Sequence, residues 1–139
     1  MDIKKLFIGG IVGGILFFLL GWLIYGTLLM DFMKANPGMV SGFDRAQPDM
    51  VYLVIGNLLS GFLMTYIFAK ANVNTLVGGL ITGAVIGLLM AASYDCMNYA
   101  LTTLMSKKMI IADVLAAAVL SGIVGAFIGL IMGKLNKSA

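Results

Sequence analysis

Apolar residues fall in four long, nearly unbroken runs, at about residues 6–31, 50–69, 75–104 and 109–133, separated by shorter polar stretches. Each run is near or above the roughly 20 residues that a helix needs to cross a hydrocarbon core. The runs are apolar all round, without the alternation that marks a barrel strand over about ten residues. The pattern therefore predicts an all-α polytopic membrane protein: one domain, an antiparallel bundle of four transmembrane helices.

The polar stretches set the predicted connections. Lys70-Ala71-Asn72-Val73-Asn74 is a short turn, which predicts that segments two and three are antiparallel neighbours, with Asn72 or Asn74 capping the third helix. Residues 105–108 are tighter still, so segments three and four form a hairpin. The link from Phe32 to Asp49 holds Pro37, Gly38, Gly42 and Pro48 with charges of both signs. It reads as a polar extramembrane loop with one short amphipathic turn at Asp31–Lys34, and no binding role is predicted for it. The third run would be about 45 Å long as a helix, so it either tilts or ends in the headgroup layer. After Met1-Asp2-Ile3-Lys4-Lys5 the first run continues past Met30 with no small-residue cleavage site. That is longer than the about 7–15 residues of a signal-peptide core, and predicts a retained signal anchor.

Small residues recur every four positions. Gly79, Gly83, Gly87 and Ala91 lead to Asp95, and Asp113, Ala117, Ser121, Gly125, Gly129 and Gly133 lead away, with Gly10 and Gly14 on the first segment. Such ladders let helix backbones approach closely, which is how membrane helices gain packing energy where lipid removes the hydrophobic drive. On a straight helix a four-residue step drifts by about 40°, so each ladder is expected to pack over only two or three steps. A weak repeat also lays residues 8–25 on 77–94, matching Gly9, Gly10, Gly14 and Tyr25 with Gly78, Gly79, Gly83 and Tyr94. The repeat points to two related helical hairpins.

Composition narrows the chemistry. The 139 residues are 61% hydrophobic and 11% charged, outside the range of soluble domains. The net charge of +3 comes from basic residues at segment ends, which meet lipid headgroups, so no nucleic-acid partner is predicted. There is no His and one Cys, Cys96, read as a small buried apolar residue. Zinc, haem and Cys-His chemistries are thereby removed; no metal site is predicted, and no cofactor is indicated. With four spans both termini share a side. Lys4, Lys5, Lys70, Lys134 and Lys137 there outnumber Lys34, Arg45, Lys107 and Lys108 opposite, which predicts cytoplasmic termini.

The polar residues inside the runs are the candidate site. Counted from the loops opposite the termini, Asp113 lies about 7 Å deep, Asn57 and Tyr25 about 10 Å, Asn98 and Tyr99 about 12–14 Å, and Asp95 about 18 Å. Asp95 neighbours Asn98 and Tyr99 on one helix face, and Tyr94 neighbours Asn98. An intramembrane acid is costly and is a functional candidate by default, so these seven residues form the predicted ligand-binding set. The structural alternative keeps Asp95 neutral by burial, or in the headgroup layer hydrogen-bonded to Asn57, Tyr25 or Tyr99. For Asp113 the alternative is a carboxylate in the first turn of segment four, near Lys107 and Lys108. Tyr94 and Tyr99 also suit interfacial anchors, and the eleven Met residues core filling.

The run from Ser93 to Leu104, with Tyr94-Asp95, Asn98, Thr103-Leu104 and the later Asp113, resembles small four-span bacterial inner-membrane proteins grouped only as domains of unknown function. Gly21-Trp22-Leu23-Ile24-Tyr25-Gly26 is similar to the end of the first helix in related families. Where such families carry Trp-Gly after the later acid, this chain has Val114-Leu115-Ala116. The resemblance implies a four-helix fold in a bacterial inner membrane and adds weight to Asp95, Asn98 and Asp113; no activity comes with it.

Two functions are expected from these residues. One is an oligomeric transporter or channel binding an ion or small polar solute at the Asp/Asn/Tyr cluster. The other is a non-catalytic accessory or assembly subunit that meets a membrane partner, or a second copy, through its glycine faces. An enzyme is not predicted, because Asp95 and Asp113 come out about 10 Å apart in depth, too far for shared acid-base work.

Overall fold

The structure is a computed structural model describing residues 2–40, 42 and 44–137, the side chain of Lys137 excepted. Met1 and the Lys137 side chain, both used above, lie outside it. Four long helices pack together: α1 (Ile3–Leu23), α3 (Met50–Lys70), α4 (Leu76–Leu101) and α5 (Lys107–Lys137), with a short α2 (Met30–Ala35) after α1. All four are long and apolar enough to cross a membrane, the first counted through Leu28, and this is an integral membrane protein. The outer faces carry Ile11, Ile15, Leu59, Leu80 and Val119, exposed as lipid-facing side chains are.

Local chemistry fixes the helix ends. Asp2 caps α1 by accepting from Lys4 N, and Asp49 caps α3 by accepting from Val51 N and Tyr52 N. The cap of α4 is Thr75, whose hydroxyl accepts from Gly78 N, in place of the expected Asn72 or Asn74. Asn72 instead sits just past α3 with φ 54°, the left-handed conformation that Asn tolerates at a helix end. The amphipathic turn expected at Asp31–Lys34 is α2.

Two antiparallel hairpins result. In the first, α1 lies on α3: a methyl group on Gly14 would reach the Leu58 backbone, and one on Gly61 would fall on the backbone of Gly10 and Gly14. In the second, α4 lies on α5. Groups added at Gly79, Gly83 and Gly87 would fall on the carbonyl oxygens of Gly125, Ser121 and Ala117, and one at Gly129 on that of Thr75. Backbone thus meets backbone without side chains between, over more steps than a straight helix allows. Persistent contact along a four-residue spacing requires the two helices to coil about each other, in the right-handed sense set by a period above 3.6.

The hairpins meet where α5 packs on α1, around a core of Phe17, Met64, Phe68, Leu120, Val124, Ile128 and Met132. These residues come from α1, α3 and α5, so α5 is the central helix. The expected pairing of segments two and three does not occur as packing. Although a five-residue turn joins them, α4 is held against α5 by its glycines, and an open crevice separates it from α3.

The two ends are closed differently. At the terminal end Lys5 Nζ donates to Asn136 Oδ1 at 2.7 Å, placing the start of α1 beside the end of α5. At the other end the link after α2 docks on the α4–α5 loop: Met39 N donates to Thr103 O at 2.8 Å and Ser106 Oγ to Asn36 O at 2.7 Å.

Candidate functional site

The α4–α5 interface ends in acids. Four residues beyond Ala91 the α4 ladder reaches Asp95, and four residues before Ala117 the α5 ladder reaches Asp113, so the register that pairs Gly83 with Gly125 and Gly87 with Ser121 brings the two acids opposite each other. Their carboxyl groups lie within electrostatic range of each other. Asp95 is 2% exposed, and its Oδ2 has no hydrogen-bond partner. Asp113 is half-buried.

This corrects the expected difference in depth. Asp95 lies six residues inward from Leu101 and Asp113 six inward from Lys107, about 9 Å on each helix. The expected depths take Asp95 from Lys107 and Asp113 from Lys108, whereas α4 ends at Leu101 and α5 begins at Lys107. Thr102 stops α4: its hydroxyl donates to Asn98 O at 2.8 Å and accepts from Leu104 N at 3.3 Å, holding the chain extended. Ser106 starts α5 early by accepting from Met109 N at 3.2 Å. Asp113 consequently stands in the second turn of its helix and not the first. Among the described residues no salt bridge reaches either acid.

Tyr25 completes the cluster from the opposite hairpin. After Leu23 helix α1 widens into a π-helical turn, Ile24–Leu28, in which the Thr27 hydroxyl bonds back to the Leu23 carbonyl. Such single turns recur at functional sites because they re-aim side chains within a helix. The half-buried Tyr25 hydroxyl donates to the Asp113 carbonyl at 3.4 Å and lies within electrostatic range of both carboxyls.

The other predicted residues do not join. Asn57 donates to Leu53 O at 2.7 Å and Asn98 to Tyr94 O at 3.0 Å, each satisfying its amide on its own helix. That back-bonding answers the cost of a buried amide without a neighbouring helix. Tyr94 is 66% exposed on the outer face of α4. Tyr99, also exposed, lines an open crevice under the link with Met39, Thr102 and Lys107. Cys96 is exposed, against the expectation of burial, because it follows the inward Asp95 by one residue and so turns away from α5. Among the described residues no group of three or more potential metal ligands occurs.

Sequence reasoning missed one feature, an apolar crevice of about 180 Å³ between α3 and α4. Phe17 and Met64 are buried within it, Leu63 and Met90 stand exposed at its mouth, and Ala91 and Ala117 line it one turn from the acids. No sequence signal marks it, since it exists only because α4 follows α5.

The fold and site thus define a helical integral membrane protein with a buried acid beside a half-buried one. Comparison with protein-family models, curated proteins and solved structures finds no match.

Proposed function

We propose that this protein is an oligomeric transporter or channel for a small cation, a proton or a monovalent ion, held between Asp95 and Asp113. The observation that carries the reading is the buried Asp95 carboxyl with a free Oδ2 against a second carboxyl. Two carboxylates side by side repel, and a shared proton or a bound cation removes that repulsion. Intramembrane acids of this kind mark ion pathways and proton relays. Four helices enclose only small crevices, so a complete pathway calls for more than one copy.

The alternative is an accessory or assembly subunit. Gly10, Gly14, Gly79, Gly83, Gly87, Ser121, Gly125 and Gly129 face other parts of the same chain, so a partner or a second copy would meet this chain elsewhere, as at Gly21 and Gly56, beside which no other group lies.

The test is cation flux in proteoliposomes under an imposed potential, with protons read by an entrapped dye and monovalent ions by radioactive rubidium. Wild type should exceed empty vesicles, and Asp95→Asn should fall to their level while remaining helical and monodisperse. Equal flux in wild type and variant would remove the reading.

A further inference from the structure

We infer that the cation taken by the acid pair is the proton and not an alkali metal ion, so that Asp95 works as a carboxyl that gains and loses a hydrogen inside the closed α4–α5 interface. The inference rests on the acid-pair reading and names the ion for it.

Three observations favour the proton. The first is room. Asp95 is 2% exposed, and its Oδ2 is packed so closely that a water molecule has scarcely any surface to rest against, yet nothing donates a hydrogen bond to it. A potassium or rubidium ion is as large as a water molecule and finds no seat there. An ionised carboxylate left bare in such a place is costly, and a proton removes the charge without taking up space.

The second is the supply of ligands. An alkali ion that sheds its water must replace it with several oxygens, as the carbonyl rings of potassium filters do. The side chains brought together here are the two carboxyls and the Tyr25 hydroxyl, which already donates to the Asp113 carbonyl. Such a set is too small to stand in for a hydration shell, and it is enough for one hydrogen held between two carboxyls.

The third is rigidity. Opening a gap between the acids for an ion would part α4 from α5, and these helices meet through backbone, with Gly83 against the Ser121 carbonyl and Gly87 against that of Ala117. Backbone cannot swing aside as a side chain can. The titratable groups within electrostatic range of Asp95 are Asp113 on α5 and Tyr25 on the widened turn of α1, and among the described residues no salt bridge reaches it. Every such neighbour is itself an acid, so no resident positive charge competes with the hydrogen.

The test is infrared difference spectroscopy on the protein in nanodiscs, isotope-labelled at the aspartate carboxyl carbons, which reads the carbonyl stretch that only a protonated carboxyl shows. Solvent-exposed aspartates lose that band near pH 4, so a band that disappears between about pH 5 and pH 10 reports a buried one. Its midpoint should be the same in sodium, rubidium and choline salts across a tenfold range of concentration, and Asp95→Asn should remove it. The salt comparison uses wild type alone and needs no variant to fold. An alkali ion competing for the site would lower the midpoint by about one pH unit per tenfold rise in its concentration, with choline inert, and this would overturn the inference. A labelled band that stays unchanged throughout the range would mark a fixed neutral acid and overturn it as well. A midpoint that follows sodium or rubidium, or rubidium flux that depends on Asp95, would leave the acid-pair reading standing with another ion. No Asp95-dependent band and no ion effect, with flux equal in wild type and Asp95→Asn, would remove both.

Discussion

The two hairpins are built from the same material and do different things. In α1–α3 the small residues meet side chains as well as backbone: Gly9 faces Thr65 and Gly10 faces the Phe62 ring. In α4–α5 they meet carbonyl oxygens, rung after rung, and the interface ends in Asp95 and Asp113. The repeat that superposes Tyr25 on Tyr94 makes the contrast sharper, since Tyr25 turns toward the acids and Tyr94 toward the outside. The helices differ just before these residues: α4 runs on unbroken, while α1 widens into its π-helical turn. Similar sequence has given similar packing, and the chemistry comes from where the regularity is kept or broken.

The largest effect should follow from blocking the tighter interface. Gly83→Leu places a side chain against the Ser121 carbonyl and the Gly125 backbone, which cannot rotate away. A loss of about 3 kcal/mol or more is expected, read as a lowered unfolding midpoint in detergent. Gly10→Ala, facing a Phe62 ring that can swing aside, should cost nearer 1 kcal/mol. Equal losses would mean that the two interfaces are alike after all.

The acids come next. Removing one carboxyl from a pair relieves repulsion and leaves the backbone contacts untouched, so Asp113→Asn should hold or slightly raise the unfolding midpoint. It should nonetheless abolish cation flux as Asp95→Asn does. A double variant no worse in flux than either single one is expected if the acids act as a unit. Additive, independent losses would separate them.

Much of this was legible along the chain. The four spans follow from unbroken apolar runs, and the ladders already point at the acids, with Asp95 one step beyond Ala91 and Asp113 one step before Ala117. What hid their meeting was a matter of helix ends: Thr102 stops α4 at Leu101, six residues short of the Lys107 from which the depth of Asp95 is counted, and Ser106 starts α5 at Lys107, so the apparent difference in depth disappears. Straight-helix geometry also concealed it, because coiling keeps a four-residue ladder in contact where a straight helix would lose it. Asn57 and Asn98 bond away from the acids for a local reason, since an amide can satisfy itself four residues back on its own helix. The separation of α3 from α4 depended on which neighbour α4 fits better, and a short connecting turn does not decide that.

The smallest effect tests the tyrosines that the repeat equates. Tyr25→Phe removes one hydroxyl that donates to the Asp113 carbonyl at the long distance of 3.4 Å. Such a bond contributes at most about 0.5–1 kcal/mol, so the unfolding midpoint should fall only slightly. Tyr94→Phe, on an exposed ring, should leave the midpoint where it is. Flux separates the pair further. The Tyr25 hydroxyl lies in the field of both carboxyls, and its loss should alter the rate or the preference between proton and rubidium, while Tyr94→Phe should alter neither. If both substitutions behave alike, the π-helical turn of α1 has no part in the site, and the acid pair stands without a contribution from the first hairpin.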